Sequence, residues 1–364
     1  MNRESRQFAV QIVLLILVLY TFLVSIGLLG ASFKLFGQDL ARQLIEMTSN
    51  PLVGLVAGIL ATTLVQSSST TTSITVGMVA GGALTIEGAI PVVMGANIGT
   101  SVTNILVSMG HITRKEEFKR ALAGAAVHDF FNLLVVAILL PLEIAFGYLE
   151  WLSLQITGIF ADMGGMKFAS PLKIIVEPAV KSLIGLLGSN PFVSLIVALA
   201  LMFLALKFLV DLTKGIVMKR SERFLQRYLF GAPLTAMFVG MVITSMVQSS
   251  SITTSLIVPL VGTGILTVEQ IFPYTLGANV GTTVTAMLAS LSTGNIAAVT
   301  VAFAHLFFNL TGIGLIYPLP PVRQIPVRMA RALADLTSKN RFYAVAYLIL
   351  AFYLIPLSLI FLWK

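Results

Sequence analysis

A polar stretch set in an apolar chain occurs twice. Val65-Gln66-Ser67-Ser68-Ser69 is followed by Thr71-Thr72-Ser73 and later by Gly95-Ala96-Asn97-Ile98-Gly99-Thr100. The second copy reads Val247-Gln248-Ser249-Ser250-Ser251, then Thr253-Thr254-Ser255, then Gly277-Ala278-Asn279-Val280-Gly281-Thr282. The offset is constant, and about half of the aligned positions from Gly58 to Thr103 are identical, well above chance for an internal repeat. Hydroxyl and amide groups clustered in apolar surroundings are costly unless they bind something or pair with each other. One Ser/Thr-rich stretch reads as glue between membrane helices. Two copies at one interval read as a site built from two related halves.

The surroundings are apolar because the whole chain is. It is 57% hydrophobic and 10% charged, with a mean hydropathy of +0.96. Several windows are long enough to span a bilayer, and their continuous apolar runs lack the alternation of a barrel strand. The fold class expected is an all-α membrane protein. It consists of two inverted-topology repeats with re-entrant hairpins or broken helices, plus flanking transmembrane helices. The net charge of +8 sits in a few loops and reads as a topology signal, not as affinity for nucleic acid. No cysteine is present, which excludes disulfide and thiol chemistry.

In chain order, residues 1–50 hold a first transmembrane helix, about Phe8 to Gly30, and a mixed-charge interfacial segment from Lys34 to Glu46. Arg3 and Arg6 precede that apolar run, which is too long for a signal peptide and has no clear cleavage site. Residues 51–143 form repeat one. Its Pro51–Leu84 part is a re-entrant hairpin or a broken helix, since non-helical backbone at membrane depth is tolerated only along a cavity. Thr85 and Thr267 read as N-caps with Glu87 and Glu269 in the first turn. The two Gly-Ala-Asn-x-Gly-Thr segments are expected to interrupt the next helix. Repeat one ends on a helix carrying His128, Asp129 and Asn132, which His305 and Asn309 echo in repeat two. Residues 144–230 are a linker: amphipathic and loop-like to Asn190, then one transmembrane helix, then a basic segment with Lys214, Lys219, Arg220, Arg223 and Arg227. Residues 231–318 form repeat two. Residues 319–364 hold a basic connector and a last apolar run, Phe342 to Trp363.

Loop charges give the orientation. The internal loop of repeat one carries Arg114, Lys115, Lys119 and Arg120, whereas its counterpart, Ser290 to Asn295, has none. Repeat two is entered and left through basic segments, and repeat one through mixed or acidic ones. By the positive-inside rule the repeats face opposite ways, with the N-terminus cytoplasmic. This is the build of a secondary transporter, with the site at the repeat interface.

From Gln43 to Thr113 the charged side chains are Glu46 and Glu87, and from Gly231 to Val322 Glu269 stands alone. Neutral Ser, Thr, Asn and Gln oxygens are hard ligands suited to Na+, while hydroxyl and amide hydrogens suit an oxyanion. No Arg is placed to neutralise an anion, so bound cations must, and the pocket holds its anion only together with Na+. Asp129 breaks the symmetry, because its counterpart is Leu306. An acidic side chain in a membrane helix marks an extra cation site. The competing structural reading pairs it with His128 or a loop base. An intramembrane hydrolase using Ser67 or Ser249 with His128 needs one nucleophile–base set, which a symmetric duplication does not give, so no enzyme is expected. A passive anion channel fits two compact clusters poorly.

These residues carry a resemblance. The doubled Gln-Ser-Ser-Ser, Gly-Ala-Asn-Ile-Gly-Thr-Ser-Val-Thr-Asn at 95–104 and Val-His-Asp-Phe-Phe-Asn at 127–132 resemble the type II sodium-dependent phosphate cotransporter family over both repeats. The resemblance implies Na+-coupled uptake of inorganic phosphate across the plasma (cell inner) membrane, with Na+ and phosphate as partners and no organic cofactor. Carried over by position, Gln66, Ser67, Ser68, Ser69, Gln248, Ser249, Ser250 and Ser251 contact phosphate. Ser68, Asn97, Thr100, Asp129, Asn132, Ser250, Asn279 and Thr282 contact Na+. Asp129 and Asn132 match the extra sodium site of electrogenic members. The chain lacks the large cysteine-containing loop of animal relatives and the C-terminal soluble domain of some bacterial ones, which suggests a minimal prokaryotic member. Another oxyanion or a dicarboxylate is the alternative cargo, and no oligomeric state follows from the sequence.

Overall fold

The computed structural model describes the backbone of residues 3–229 and 232–362 and the side chains of residues 10–164, 172–212 and 232–362. Arg3, Arg6, Phe8, the basic side chains from Lys214 to Arg227, Gly231 and Trp363, which enter the reading above, lie outside the described side chains. Every regular element among the described residues is helical. The chain opens with α1 (Arg3–Phe36), α2 (Gln38–Thr48), α3 (Pro51–Val65), α4 (Ser68–Gly81), α5 (Ile86–Gly99), α6 (Ser101–Met109) and α7 (Lys115–Phe146). It crosses to the second repeat through α8 (Tyr148–Asp162), α9 (Gly165–Leu186) and α10 (Pro191–Leu229). There α11 (Pro233–Val247), α12 (Ser250–Ser255), α13 (Val258–Gly262), α14 (Val268–Thr293) and α15 (Ile296–Ile316) follow. It ends with α16 (Pro320–Lys339), α17 (Phe342–Ile349), a π-helical turn at Leu350–Leu354 and α18 (Ile355–Leu362). Six described helices are long and apolar enough to cross a membrane, and a seventh candidate is the pair α2 and α3, bent by 100°.

Glycine decides how each repeat packs. A Cβ on Gly58 would lie 2.0 Å from the Val92 carbonyl oxygen, and one on Gly95 1.9 Å from that of Leu55. Gly54 meets Pro91 and Gly88, and Gly99 meets Thr62. Partners therefore rise together along both helices, so α3 and α5 lie parallel with their backbones touching. The start of α5 stands beside the start of α3, so the intervening α4 has to run back. The segment is a re-entrant hairpin, which settles the choice left open by the sequence. At 14 or 15 residues each limb is about 21–22 Å long, short of the ~30 Å hydrocarbon core. Repeat two has the same construction, with Gly240 against Tyr274, Gly277 1.8 Å from the Met237 carbonyl oxygen and Gly281 against Met241 and Thr244. In a bilayer apolar burial gives helices little reason to associate, and such small-residue contacts supply the van der Waals packing instead. Gly77 and Gly81 use the same device against Leu29, Gly30 and Phe33 of α1.

The same glycines correct one expectation. The Gly-Ala-Asn-x-Gly-Thr segments do not unwind at membrane depth: the first is interrupted at Thr100 alone and the second not at all. Thr100 between α5 and α6 keeps helical torsions (φ −59°, ψ −31°), and α14 runs through Gly277–Thr282 unbroken. These glycines serve close approach. Two other readings change. The stretch from Glu143 to Asn190 is largely helical, as the end of α7 with α8 and α9, and the first helix runs to Phe36 instead of Gly30.

The two hairpins open towards opposite ends of the bundle. Gly88, at the base of the first, sits beside Thr48, and Asn295 beyond α14 donates to the Ala80 carbonyl at the end of α4. Gly262, at the base of the second, sits beside His111 beyond α6 and accepts from Arg120 Nε at 2.9 Å. The α5–α6 span joins these ends. Basic residues gather at the second end, where Lys119 pairs with Asp335 at 2.5 Å, Arg331 with Glu269 at 2.7 Å, and Arg341 reaches the Thr113 carbonyl. Glu269 is thus an ion-pair partner; the cap on α14 is a box made by Thr267 and Gln270. At the first end Glu87, Glu143 and Glu150 lie together, and burial, then the two neighbouring carboxylates, pushes the Glu150 carboxyl above its ordinary range.

Gly277→Ala is expected to abolish monodisperse protein in size-exclusion chromatography, because its methyl meets backbone. Gly158→Ala, on an exposed helical position with open space, is expected to leave thermal stability unchanged or raise it by up to about 1 kcal/mol. Single cysteines replacing Ser49 and Thr113 in this cysteine-free chain should label from opposite sides of sealed vesicles; labelling from one side contradicts the inverted arrangement.

Candidate functional site

Each hairpin tip is two residues long. Gln66 (φ 58°) and Gln248 (φ 59°) take the left-handed conformation, which costs a non-glycine residue roughly 1–3 kcal/mol and persists only where surroundings enforce it. The side chain does the enforcing. Gln66 Nε2 donates to the Thr63 carbonyl at 2.6 Å, and its Oε1 accepts from Thr103 Oγ1 at 2.8 Å. Gln248 Nε2 donates to the Ser245 carbonyl, and its Oε1 accepts from Thr285 Oγ1 at 2.6 Å. The Gln–Thr separation is 37 in both copies. Each glutamine therefore latches its tip to the helix that runs parallel to the first limb. Glycine would relieve the strain and lose the latch.

The next residue is extended and caps the returning limb. Ser67 Oγ accepts from the Thr70 amide and Ser249 Oγ from the Ile252 amide. Ser69 Oγ donates to the Gln248 carbonyl at 3.0 Å, so the first hairpin touches the tip of the second. The hydroxyls of Ser68, Ser250 and Ser251 are otherwise placed. Their residues are buried to 4%, 2% and 4% exposure, yet none is a buried orphan and none hydrogen-bonds a described protein group. They keep contact with solvent where the tips meet. Thr100 and Thr282 donate to carbonyls one turn back at 3.0 Å each, which commits their hydrogens and leaves the oxygens as pure acceptors.

A buried chain of amides ties the halves together. Asn279 Nδ2 donates to Asn132 Oδ1 at 2.9 Å, and Asn132 Nδ2 donates to the Asn97 carbonyl at 3.0 Å. His128 Nε2 meets Asn279 Oδ1 at 2.5 Å; because that oxygen is an acceptor, Nε2 carries the hydrogen. All four residues are at most 3% exposed. The matching chain in the other half is not made. Asn97 Nδ2 turns back to the Val93 carbonyl, Asn309 Nδ2 bonds the His305 carbonyl, and both His305 nitrogens and Asn309 Oδ1 are buried without partners. Each such atom costs about 1–3 kcal/mol. The hairpins differ alike: Thr62 Oγ1 donates to Thr71 Oγ1 across the first, whereas Thr244 in the second is an orphan.

Asp129 is fully buried on α7. It pairs with neither His128 nor a loop base. Its Oδ2 accepts from the Tyr347 hydroxyl of α17, and its Oδ1 has no partner. The residues read from the sequence thus converge on the tips and on the α5–α7–α14 core. The reading missed Thr103, Thr285 and Tyr347. The two threonines were findable, since Thr103 and Thr285 match under the repeat; nothing in the repeat points to Tyr347.

The profile of the Na+/Pi-cotransporter family matches residues 21–169 and 201–316. The chain belongs to that family. It is 39% identical to mouse sodium-dependent phosphate transport protein 2A over 96% of its own length and 67% of that relative. It is 35% identical to human sodium-dependent phosphate transport protein 2B over 96% of its length and 64% of that relative. This family member therefore spans about two-thirds of the curated relatives it matches. No solved structure matches it. The family match covers both hairpins and α5–α7, α14 and α15, but ends before α17 and Tyr347.

Asn132→Leu strips partners from Asn279 and Asn97 and is expected to cost about 2–4 kcal/mol of stability in detergent. Asn309→Leu loses one bond within its own helix and should cost under about 1 kcal/mol. Equal losses in thermal unfolding would mean that the two halves are bonded alike.

Proposed function

We propose that the chain is a secondary active transporter that couples Na+ entry to uptake of inorganic phosphate by alternating access, and that transport is electrogenic. The observation that carries this is the set of three uncommitted serine hydroxyls, Ser68, Ser250 and Ser251, where two hairpin tips meet inside an apolar bundle. The names of the relatives, sodium-dependent phosphate transport proteins, support the same cargo.

Phosphate sits between the tips. Serine hydroxyls and the free amides at the start of α4 donate to it, and the helix dipole favours the negative charge there. Ser67 and Ser249 shape that end as caps, and Ser69 holds the tips together. Gln66 and Gln248 act through the tip backbone, because both ends of each amide are engaged, one with a carbonyl of its own limb and one with a threonine on the neighbouring helix. Carbonyls at the ends of α3 and α11, with the acceptor oxygens of Thr100, Thr282, Asn97, Asn279, Ser68 and Ser250, bind Na+. Asp129 and Asn132 serve a further Na+. With no Lys or Arg in either tip segment, an anion at that depth is stable only beside cations, and this couples the fluxes. One net charge moved per cycle is worth about 2.3 kcal/mol per 100 mV. The basic end faces the cytoplasm of the cell and the protein lies in the plasma membrane, with the N-terminus inside.

In proteoliposomes an inward Na+ gradient should drive phosphate accumulation, faster with an inside-negative potential, and choline in place of Na+ should abolish it. Ser68→Ala and Ser250→Ala should each weaken Na+ and phosphate apparent affinity together. Phosphate flux that persists in choline would instead indicate a passive pore. Stronger competition from sulfate or a dicarboxylate than from unlabelled phosphate would indicate another cargo.

A further inference from the structure

We infer that Tyr347, on a helix outside both repeats, is a positioning residue for Asp129, and that Ser101 supplies a further oxygen to the cation held there. The inference rests on the Na+ role proposed above for Asp129.

Asp129 is a carboxyl group at zero exposure with no ion pair among the described residues. His128 beside it is engaged elsewhere, with Asn279. One neutral donor, the Tyr347 hydroxyl, reaches Oδ2. The Ser101 hydroxyl, from the first turn of α6, lies beside the same carboxyl. Neither Ser101 Oγ nor Asp129 Oδ1 has a hydrogen-bond partner of good geometry, and both atoms are buried. Two adjacent orphaned oxygens, one of them on a carboxylate, form a donor set for a hard monovalent cation. They are a poor set for anything apolar or anionic. The phenol bond engages Oδ2 and leaves Oδ1 as the free oxygen of the carboxyl.

Tyr347 is itself held. Its ring lies 6.1 Å from Phe130 and 6.1 Å from Phe352, edge to face. Phe352 is 1% exposed although α17 and α18 are otherwise largely uncovered. It sits in a π-helical turn at Leu350–Leu354, and its ring meets Tyr347 five positions earlier. Single π turns are frequent at functional positions. The second repeat has Leu306 at the place of Asp129, so the arrangement is made once.

Tyr347→Phe keeps the ring and removes the donor. In proteoliposomes of the full chain it should raise the Na+ concentration for half-maximal phosphate uptake about tenfold, the size of one hydrogen bond to a charged group. The phosphate KM at saturating Na+ should stay within about twofold, a split that general loosening of the fold would not produce. Ser101→Ala should shift the Na+ dependence in the same direction, and it tests the ligand arm even if the tyrosine variant folds poorly. Tyr343→Phe, an exposed tyrosine on the same helix, should change nothing. Asp129→Asn separates the two levels. If it alters the Na+ dependence while Tyr347→Phe and Ser101→Ala do not, the inference is overturned and the role of Asp129 stands. If it too leaves the Na+ dependence and the charge per phosphate unchanged, the Asp129 reading itself falls. A Tyr347→Phe protein with lower thermal stability and an unshifted Na+ dependence would mark the phenol as merely structural.

Discussion

Backbone contact between parallel helices is the constraint on which the molecule depends. Gly58 and Gly95, and Gly240 and Gly277, let α3 touch α5 and α11 touch α14 so closely that a methyl group would overlap a carbonyl oxygen. Two parallel helices consecutive but for one short segment force that segment to double back. The tip of the hairpin then ends within the bundle. A membrane interior penalises any backbone that is not hydrogen-bonded, so each tip needs its own internal support. The Gln–Thr latch and the serine cap provide it. What is left over, hydroxyls on neighbouring serines, is what the tips can offer a ligand.

The two halves carry nearly the same residues and bond them differently. His128, Asn279, Asn132 and Asn97 form a chain that leaves only His128 Nδ1 unpaired, while His305 and Asn309, the counterparts of His128 and Asn132, are left with three unpaired atoms. The residues are shared between the halves and the bonds are not: the contacts that close one side of the interface are absent from the other.

Much of this was legible in the chain. The repeat is visible because its identities fall on polar residues that an apolar environment would otherwise reject. The hydropathy gave the all-helical membrane class, and loop charges gave opposed orientations. One misreading came from glycine. Gly95 and Gly99 were taken as helix breaks, yet they sit in regular helix, since a glycine tolerated for close packing and one needed for a turn look the same in a sequence. The helices of residues 148–186 were read as loop-like because apolar residues are interrupted there by polar and charged ones, which leaves no continuous apolar run.

By itself the sequence determined the duplicated polar motif, the helical membrane class and the residue types of the site, because each follows from local composition and spacing. Tertiary structure alone decided three things. It showed that the glutamines are committed to holding their tips, that three serines remain free, and that Asp129 meets a tyrosine 218 residues away. Those outcomes depend on which backbones approach and which side chains face each other across the bundle. No local pattern encodes that, because partners so distant in the chain are brought together only by packing.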